Sequence, residues 1–294
     1  MILITSYGII SLSQKLREFI MKLKHIVLGL ALTTLLGVTF SNQEVSASST
    51  SSKVVKVGVM TFSDTEKARW DKIEKLVGDK AKIKFTEFTD YTQPNQATAN
   101  KDVDINAFQH YNFLENWNKE NKKNLIPLEK TYLAPIRIYS EKVKSLKKLK
   151  KGATIAIPND ATNGSRALYV LQSAGLIKLN VSGKKVATVA NITSNKKDIN
   201  IQELDASQTP RALKDVDAAI INNTYIEQAN LKPSDAIFVE KSDKNSKQWI
   251  NIIAGRKNWK KQKNAKAIQA ILDAYHTDEV KKVIKDTSAD IPQW

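Results

Sequence analysis

The chain of 294 residues contains no cysteine and only three histidines. The absence of cysteine excludes disulfide bonds, thiolate metal sites and thiol nucleophiles. A glycine-rich phosphate loop is also missing, because Gly164 lacks the neighbouring glycines that such a loop needs. His110 alone follows a predicted strand in a polar segment, and no serine or cysteine partner motif accompanies it. These absences argue against catalysis through a nucleophile or a bound nucleotide.

Basic residues outnumber acidic ones, 46 against 30, and give a formal net charge of +16. Such an excess indicates an anionic partner or a strongly solvated exterior. The densest basic runs, residues 142–151 and 256–266, lack the interleaved aromatic side chains on which the bases of a nucleic acid would stack. We therefore expect attraction to an anionic cell envelope and no nucleic-acid partner.

The N-terminal segment has the composition of an export signal. A basic stretch begins at Met21, and the apolar run that follows, residues 26–38, is too short to span a bilayer comfortably. Small residues ending at Ala47 suit signal peptidase. We predict a signal peptide over residues 1–47, with Met21 as the true start, and a flexible tether over residues 48–52. An uncleaved N-terminal anchor is the alternative.

Two segments of the chain have nearly the same sequence. Residues 101–108 read KDVDINAF, and residues 214–221 read KDVDAAII. Each follows an apolar alternating run, a polar loop and a short helical segment that begins near a proline, Pro94 or Pro210. A strand–helix–strand unit in each half predicts an α/β fold with two similar lobes and a ligand cleft between them.

The alternation of strands and helices also predicts how the chain divides. The first lobe is expected to comprise residues 53–136 and 249–294, and the second lobe residues 137–248. Pro135 lies in an extended apolar segment and suits a connection between lobes better than a central strand. The basic residues 143–149 are predicted to form a helix.

Candidate binding residues follow the carboxyl ends of the predicted strands, where ligands of open α/β sheets bind. Arg166 is placed near the start of a helix, where free backbone N–H groups favour an anion, and its planar fork can hold a carboxylate by two hydrogen bonds. A surface arginine is an equally weighted alternative. Arg211 is interpreted as a surface residue. Asp102 and Asp104 point to opposite faces and are interpreted as turn residues.

Four segments of the chain carry recognisable motifs: FTDYTQPN at residues 88–95, NAFQH at 106–110, AIPNDATNGSRAL at 156–168 and DAAIINNTY at 217–225. Together and in this order they resemble the methionine-binding lipoprotein (NlpA) family, the substrate-binding proteins of methionine ABC importers. The resemblance extends over residues 53–290. It implies a type 2 periplasmic-binding-protein fold, in which two lobes joined by two crossing strands close around an amino acid.

The resemblance also implies roles for individual side chains. The residues concerned are Tyr91, Phe108, His110, Asn163, Arg166, Asn222 and Tyr225. Arg166 would bind the ligand carboxylate, and Asn222 would help to hold the amino group. Tyr91, Phe108 and His110 would line the side-chain pocket, which suits a thioether because polarizable sulfur packs well against aromatic edges.

Three features depart from the family's pattern. Val38 stands where members carry a lipid-modified cysteine, so acylation there is chemically impossible. Residues 61–65 replace a proline-histidine segment and alter one wall of the pocket. Asn223 and Thr224 replace a glycine-asparagine pair.

We therefore expect an exported solute-binding protein that captures methionine, or a related small amino acid or peptide, and delivers it to an ABC permease and ATPase. It would be a monomer associated with the membrane at the cell surface, and it would need no cofactor, no metal and no covalent chemistry. The alternative is a basic cell-surface adhesin or wall-binding protein on the same fold. A hydrolase is the third possibility, for which no nucleophile–base pair is found.

Overall fold

The computed structural model describes residues 53–183 and 185–294, and two β-sheets organise this part of the chain. The predicted signal peptide and tether, together with Met21 and Val38, lie outside the described residues. Among the helices of the described part, none is both long enough and apolar enough to cross a membrane.

The strands and helices follow one another in the order expected of an α/β protein. The strands are β1 (Val54–Met60), β2 (Lys82–Phe88), β3 (Ile105–His110), β4 (Leu125–Leu133), β5 (Arg137–Tyr139), β6 (Thr154–Pro158), β7 (Lys178–Leu179), β8 (Ile192–Ser194), β9 (Asn200–Leu204), β10 (Ala218–Ile221), β11 (Phe238–Val239), β12 (Ile250–Arg256) and β13 (Ile291–Pro292). The α-helices are α1 (Asp64–Val77), α2 (Gln93–Asn100), α3 (Tyr111–Asn121), α4 (Ala161–Ser173), α5 (Ala265–Tyr275) and α6 (Asp278–Thr287).

The first sheet has the order β13-β4-β12-β3-β1-β2. Strand β1 is parallel to β2 and β3, whereas β12 is antiparallel to β3 and β4. Helices α1, α5 and α6 pack against this sheet through one apolar cluster that includes Val57, Trp70, Ile268 and Ile284. Burial of these side chains fixes the carboxyl ends of β2 and β3, which are followed by candidate site residues.

The second sheet has the order β11-β5-β10-β6-β9, with β6 parallel to both β9 and β10. Helix α4 packs against it, and Leu168 and Leu171 share a buried cluster with Ile155 and Ile220. The chain passes between the two sheets twice, from β4 to β5 and from β11 to β12. The residue boundaries predicted for the lobes, 53–136 with 249–294 and 137–248, remain predictions.

The repeated aspartates have the same structural role in both copies. The Asp104 carboxylate accepts a hydrogen bond from the Lys56 N–H (2.9 Å), and the Asp104 N–H donates to the Lys56 carbonyl (2.8 Å). In the second copy Asp217 makes the same two hydrogen bonds with Thr154, at 2.8 and 2.9 Å. Each aspartate therefore joins the turn before one strand to the start of the neighbouring parallel strand.

Two predicted helices differ from what is found. The segment after Pro210 forms short 3₁₀ turns, whereas the equivalent segment after Pro94 forms α2. The predicted helix over residues 143–149 is reduced to a 3₁₀ turn at Leu146–Lys148. Lysines at i, i+3 and i, i+4 repel one another in this basic run and disfavour an α-helix. The Ser140 hydroxyl also accepts the N–H of Val143 (3.0 Å), which stabilises a turn.

Candidate functional site

A cavity of about 140 Å³ lies between the two lobes and is lined by polar and aromatic side chains from both. Six of the seven predicted site residues line it, namely Tyr91, Phe108, His110, Asn163, Arg166 and Asn222. The seventh, Tyr225, is buried and packs against Tyr91, with ring centroids 5.3 Å apart. Tyr225 therefore supports the cavity wall and is not part of its lining.

Arg166 is held by the second lobe and by the connection between the lobes. Its Nε donates to Oε1 of Glu240 (3.0 Å), and its Nη2 donates to Oε2 of Glu240 (2.5 Å) and to the Ala134 carbonyl (2.9 Å). The guanidinium lies 5.1 Å from the centre of the Trp249 ring. No hydrogen bond joins Nη1 to any described residue, so this nitrogen is the donor that remains for a ligand.

The predicted position of Arg166 near a helix start is wrong. Helix α4 begins at Ala161, so Arg166 stands in its second turn. The Asp160 side chain caps this helix by accepting the N–H groups of Thr162 and Asn163, at 3.2 and 2.9 Å. The free backbone N–H groups of the helix start therefore do not lie at Arg166, which can offer an anion only its side chain. Arg211 is exposed on a short turn, in agreement with its interpretation as a surface residue.

An amide network joins the two lobes beside Arg166. Asn163 donates from Nδ2 to Asp160 (2.9 Å), which fixes the orientation of its amide. Its Oδ1 accepts from Nδ2 of Asn222 (2.8 Å) and lies 3.4 Å from Nε2 of His110. The Oδ1 of Asn222 is buried, and no described residue donates to it. A buried acceptor that lines a cavity and has no partner is suited to a ligand N–H.

His110 is neutral and has a defined tautomer. Its Nδ1 accepts the N–H of Phe113 (3.0 Å), so the ring proton is on Nε2 and points to Asn163. Burial, with the positive charge of Arg166 as a second cause, lowers the pKa of His110 to about 3. His110 is thus a hydrogen-bond donor that connects the lobes, and it is not a base poised near neutral pH.

Aromatic side chains form the apolar wall of the cavity. The ring of Phe108 lies 5.9 Å from Tyr91 and 5.7 Å from Phe113, centroid to centroid. The ring of Trp249 packs edge-on against His110 at 5.0 Å. Phe113, at the start of α3, also lines the cavity.

A second buried arginine, Arg69, organises a cluster that the sequence did not predict. Its Nη1 donates to Glu66 (3.1 Å) and its Nη2 to Asp290 (3.0 Å), while the guanidinium lies 4.1 Å from the centre of the Tyr132 ring. Burial raises the pKa of Glu66, and the positive charge of Arg69 opposes this effect. Glu66, Tyr132 and Asp290 line the cavity, but Arg69 lies behind them. We call these four residues, with Asn223, the Arg69 cluster.

The residues that depart from the family's pattern connect the lobes. Asn223 donates to Asp290 (3.1 Å) and accepts from Nη1 of Arg137 (2.7 Å). The Thr65 hydroxyl donates to Glu227 (2.8 Å). Both departures thus place hydrogen bonds across the cleft at the lining of the cavity.

Other motif residues have a structural role. Asn95 and Gln109 exchange two hydrogen bonds through their side-chain amides, at 2.8 and 2.5 Å. Asn106 donates to Asn95 (3.0 Å) and to Thr98 (2.6 Å). This buried network fastens α2 to β3 and so holds Tyr91 and Phe108 in the cavity wall.

Two α/β lobes, two chain crossings and a cavity between the lobes define a periplasmic-binding-protein fold, as predicted. The chain belongs to the NlpA lipoprotein family, whose model matches residues 55–294. The resemblance proposed from the motifs is thereby confirmed.

The relatives are binding proteins. The chain is similar to the substrate-binding protein of a methionine transporter from Streptococcus pneumoniae, with 53% identity and a TM-score of 0.80, over 82% of this chain and 96% of that one. A nutrient-binding protein from Burkholderia cenocepacia, bound to methionine, is 40% identical with a TM-score of 0.74, over 82% of this chain and 100% of that one. The D-methionine-binding lipoprotein of Salmonella typhi is 39% identical over 231 residues, 77% of this chain and 82% of its own. These names describe neither enzymes nor adhesins.

Proposed function

We propose that this chain is an exported solute-binding protein that captures methionine, or a closely related amino acid or short peptide, for an ABC importer. One observation carries the proposal: a charged donor, Nη1 of Arg166, and a buried acceptor without a partner, Oδ1 of Asn222, belong to side chains that line the same cavity. An α-amino acid brings the complementary pair, a carboxylate and an ammonium group.

Specificity for such a ligand would follow from the cost of leaving buried groups unpaired. A ligand that lacks either charged group leaves Nη1 of Arg166 or Oδ1 of Asn222 without a partner, which costs about 1–3 kcal/mol for each buried group. The rings of Tyr91, Phe108 and Phe113 would receive the ligand side chain, and a thioether gains from contact with aromatic edges. We include Arg166, Asn222, Asn163, His110, Tyr91 and Phe108 in the proposed ligand site.

The relatives support a transport role. The Streptococcus pneumoniae protein is named as part of a methionine transporter, and the Salmonella typhi protein as a lipoprotein. We propose that this chain acts as a monomer on the outer side of the membrane and delivers its ligand to a permease and ATPase. Because Val38 occupies the position of the acylated cysteine, its retention there would rest on another attachment, such as its positive charge.

Isothermal titration tests the proposal. The protein is unfolded, dialysed and refolded to remove bound ligand, and it is then titrated with L-methionine, D-methionine, methionyl dipeptides and leucine. We expect saturable binding of one methionine-containing ligand per chain and weaker binding of leucine, which lacks the sulfur. Correctly refolded protein that gives no heat with any of these ligands would refute the proposal.

A further inference from the structure

Glu240 holds the arginine that we propose as the carboxylate receptor. Its two carboxylate oxygens accept from Nε and Nη2 of Arg166, and Oε2 also accepts the backbone N–H of Ile136 (3.2 Å). The Glu240 N–H donates in turn to the Ile136 carbonyl (3.0 Å). The side chain of Arg166 is 3% exposed and that of Glu240 14%. This is a buried two-point ion pair anchored to the connection between the lobes.

The pairing has a geometric consequence. The fork that would otherwise grip a ligand carboxylate at two points is occupied by Glu240 and Ala134. Only Nη1 remains for the ligand, so the carboxylate would be bound through a single guanidinium nitrogen in a fixed direction.

The pairing also has an electrostatic consequence. The charge of Arg166 is cancelled by Glu240, and His110 beside it is neutral. The other charged groups of the lining bind partners other than Arg166: Glu66 and Asp290 share the single positive charge of Arg69, and Glu227 accepts from the Thr65 hydroxyl and keeps its charge. A ligand of zero net charge leaves the Arg166–Glu240 pair balanced, whereas a ligand with one net charge leaves an uncompensated charge in a poorly solvated site.

We propose that Glu240 is the positioning residue that makes this cavity select a zwitterion, because it both aims Arg166 and cancels its charge. The proposal rests on the proposed function, since it requires an amino-acid ligand.

Three ligands of similar shape test the charge selection: methionine, its desamino analogue, which is an anion, and methioninamide at a pH where it is a cation. Removing the negative charge by Glu240→Gln leaves the positive charge of Arg166 uncompensated. The anion should therefore bind more tightly and the cation more weakly. We expect the ratio of the Kd for methioninamide to the Kd for the desamino analogue to rise by about tenfold or more. A purely structural role for Glu240 would weaken all three ligands by the same factor and leave the ratio unchanged.

Matched variants isolate the effect. Glu203→Gln makes the same charge change at an exposed position of the second lobe and should leave the ratio unaltered. Glu240→Asp keeps the charge but shortens the reach, so all three Kd values should rise together. An unchanged ratio in Glu240→Gln, or an equal shift in Glu203→Gln, would overturn the proposal.

A measurement on the unaltered protein covers the case in which Glu240→Gln does not fold. The Nε–H signal of Arg166 in a nitrogen–proton NMR spectrum, assigned by its loss in Arg166→Gln, should keep its position and its protection from solvent exchange when methionine binds. A signal that moves and exchanges faster would show that the ligand displaces Glu240, against the proposal. If the refolded wild-type chain binds none of the three ligands, the proposed function fails and the role of Glu240 fails with it. If methionine binds but the charge ratio does not move, only the role of Glu240 is refuted.

Discussion

Two buried arginines stand beside the cavity, and they differ in what their surroundings leave unpaired. Arg69 and Arg166 are 2% and 3% exposed, and each uses two nitrogens in ion pairs, Arg69 with two carboxylates and Arg166 with the one of Glu240. Both terminal nitrogens of Arg69 are engaged within the Arg69 cluster, and its partnerless Nε belongs to a residue that does not line the cavity. Arg166 lines the cavity together with Asn222, and its Nη1 has no partner among the described residues. The two arginines therefore differ in whether an unpaired donor belongs to a side chain that lines the cavity, and not in burial or ion pairing.

Arg69→Gln should have the largest effect, and it should be on stability. The substitution leaves Glu66 and Asp290 buried with an incomplete partner, which costs about 3–5 kcal/mol in the free energy of unfolding. Urea denaturation measures this loss. Lys67→Gln, on the exposed face of the same helix, is the control and should change little. A variant of unchanged stability that no longer binds methionine would reverse the roles of the two arginines.

Arg166→Gln should come next, and unlike Arg69→Gln it should weaken binding in addition to the stability that is lost with the Glu240 ion pair. Loss of a charge-assisted hydrogen bond to a buried carboxylate should raise the Kd for methionine by about 100-fold, within the range for hydrogen bonds to charged groups. Isothermal titration provides the Kd. Arg211→Gln, on an exposed turn of the same lobe, should bind as the wild type does. An unaltered Kd in Arg166→Gln would show that Arg166 does not bind the ligand carboxylate.

The third prediction concerns how the free energy of unfolding depends on pH through His110. The folded state keeps His110 neutral down to about pH 3, whereas the unfolded chain takes up a proton near pH 6.5. Above pH 6.5 His110 therefore does not lower the free energy of unfolding. As the pH falls from 6.5 toward 3, the free energy of unfolding decreases, because only the unfolded chain takes up the proton. Between pH 6.5 and 5 the loss should be about 2 kcal/mol. Denaturation of the wild type and of His110→Gln at several pH values gives the slope of the free energy of unfolding against pH for each protein. Equal slopes would contradict the low pKa of His110 in the folded state.

The smallest expected effect is at the link between the Arg69 cluster and the second lobe. Asn223→Gly removes the hydrogen bonds to Asp290 and Arg137 but touches none of the proposed ligand-binding groups. If these bonds favour closure, the Kd for methionine should rise by about fivefold, the equivalent of one net hydrogen bond. Small-angle scattering of the ligand-free variant should show a more open chain. A tighter Kd would mean that the link opposes binding.

Local sequence patterns predicted most of the framework. The strand–helix–strand unit that ends in residues 101–108 is found as β2, α2 and β3, because burial follows local spacing. The 3₁₀ turns after Pro210 were not predicted, since the choice between an α-helix and tighter turns depends on tertiary packing. The roles of Asp104 and Asp217 as ties between strands also required the pairing of distant strands.

The proposed site could be predicted only in part. Arg166 and Asn222 follow strands in recognisable motifs, so position and resemblance identify them together. Glu240 lies 74 residues from Arg166, and Asp290 lies 221 residues from Arg69. Neither partner stands in a motif of its own. Such pairs are determined by the packing of distant segments, and no local signal distinguished Arg69 from an ordinary helix arginine.

A crystal structure of the refolded chain with methionine is the most direct test of the central claim that Arg166 and Asn222 form the receptor for the amino-acid head group. We expect a carboxylate oxygen about 3 Å from Nη1 of Arg166 and an ammonium group at a similar distance from Oδ1 of Asn222, with the Arg166–Glu240 pair retained. A head group seated against the Arg69 cluster, or a ligand carboxylate that has replaced Glu240 on Arg166, would contradict it.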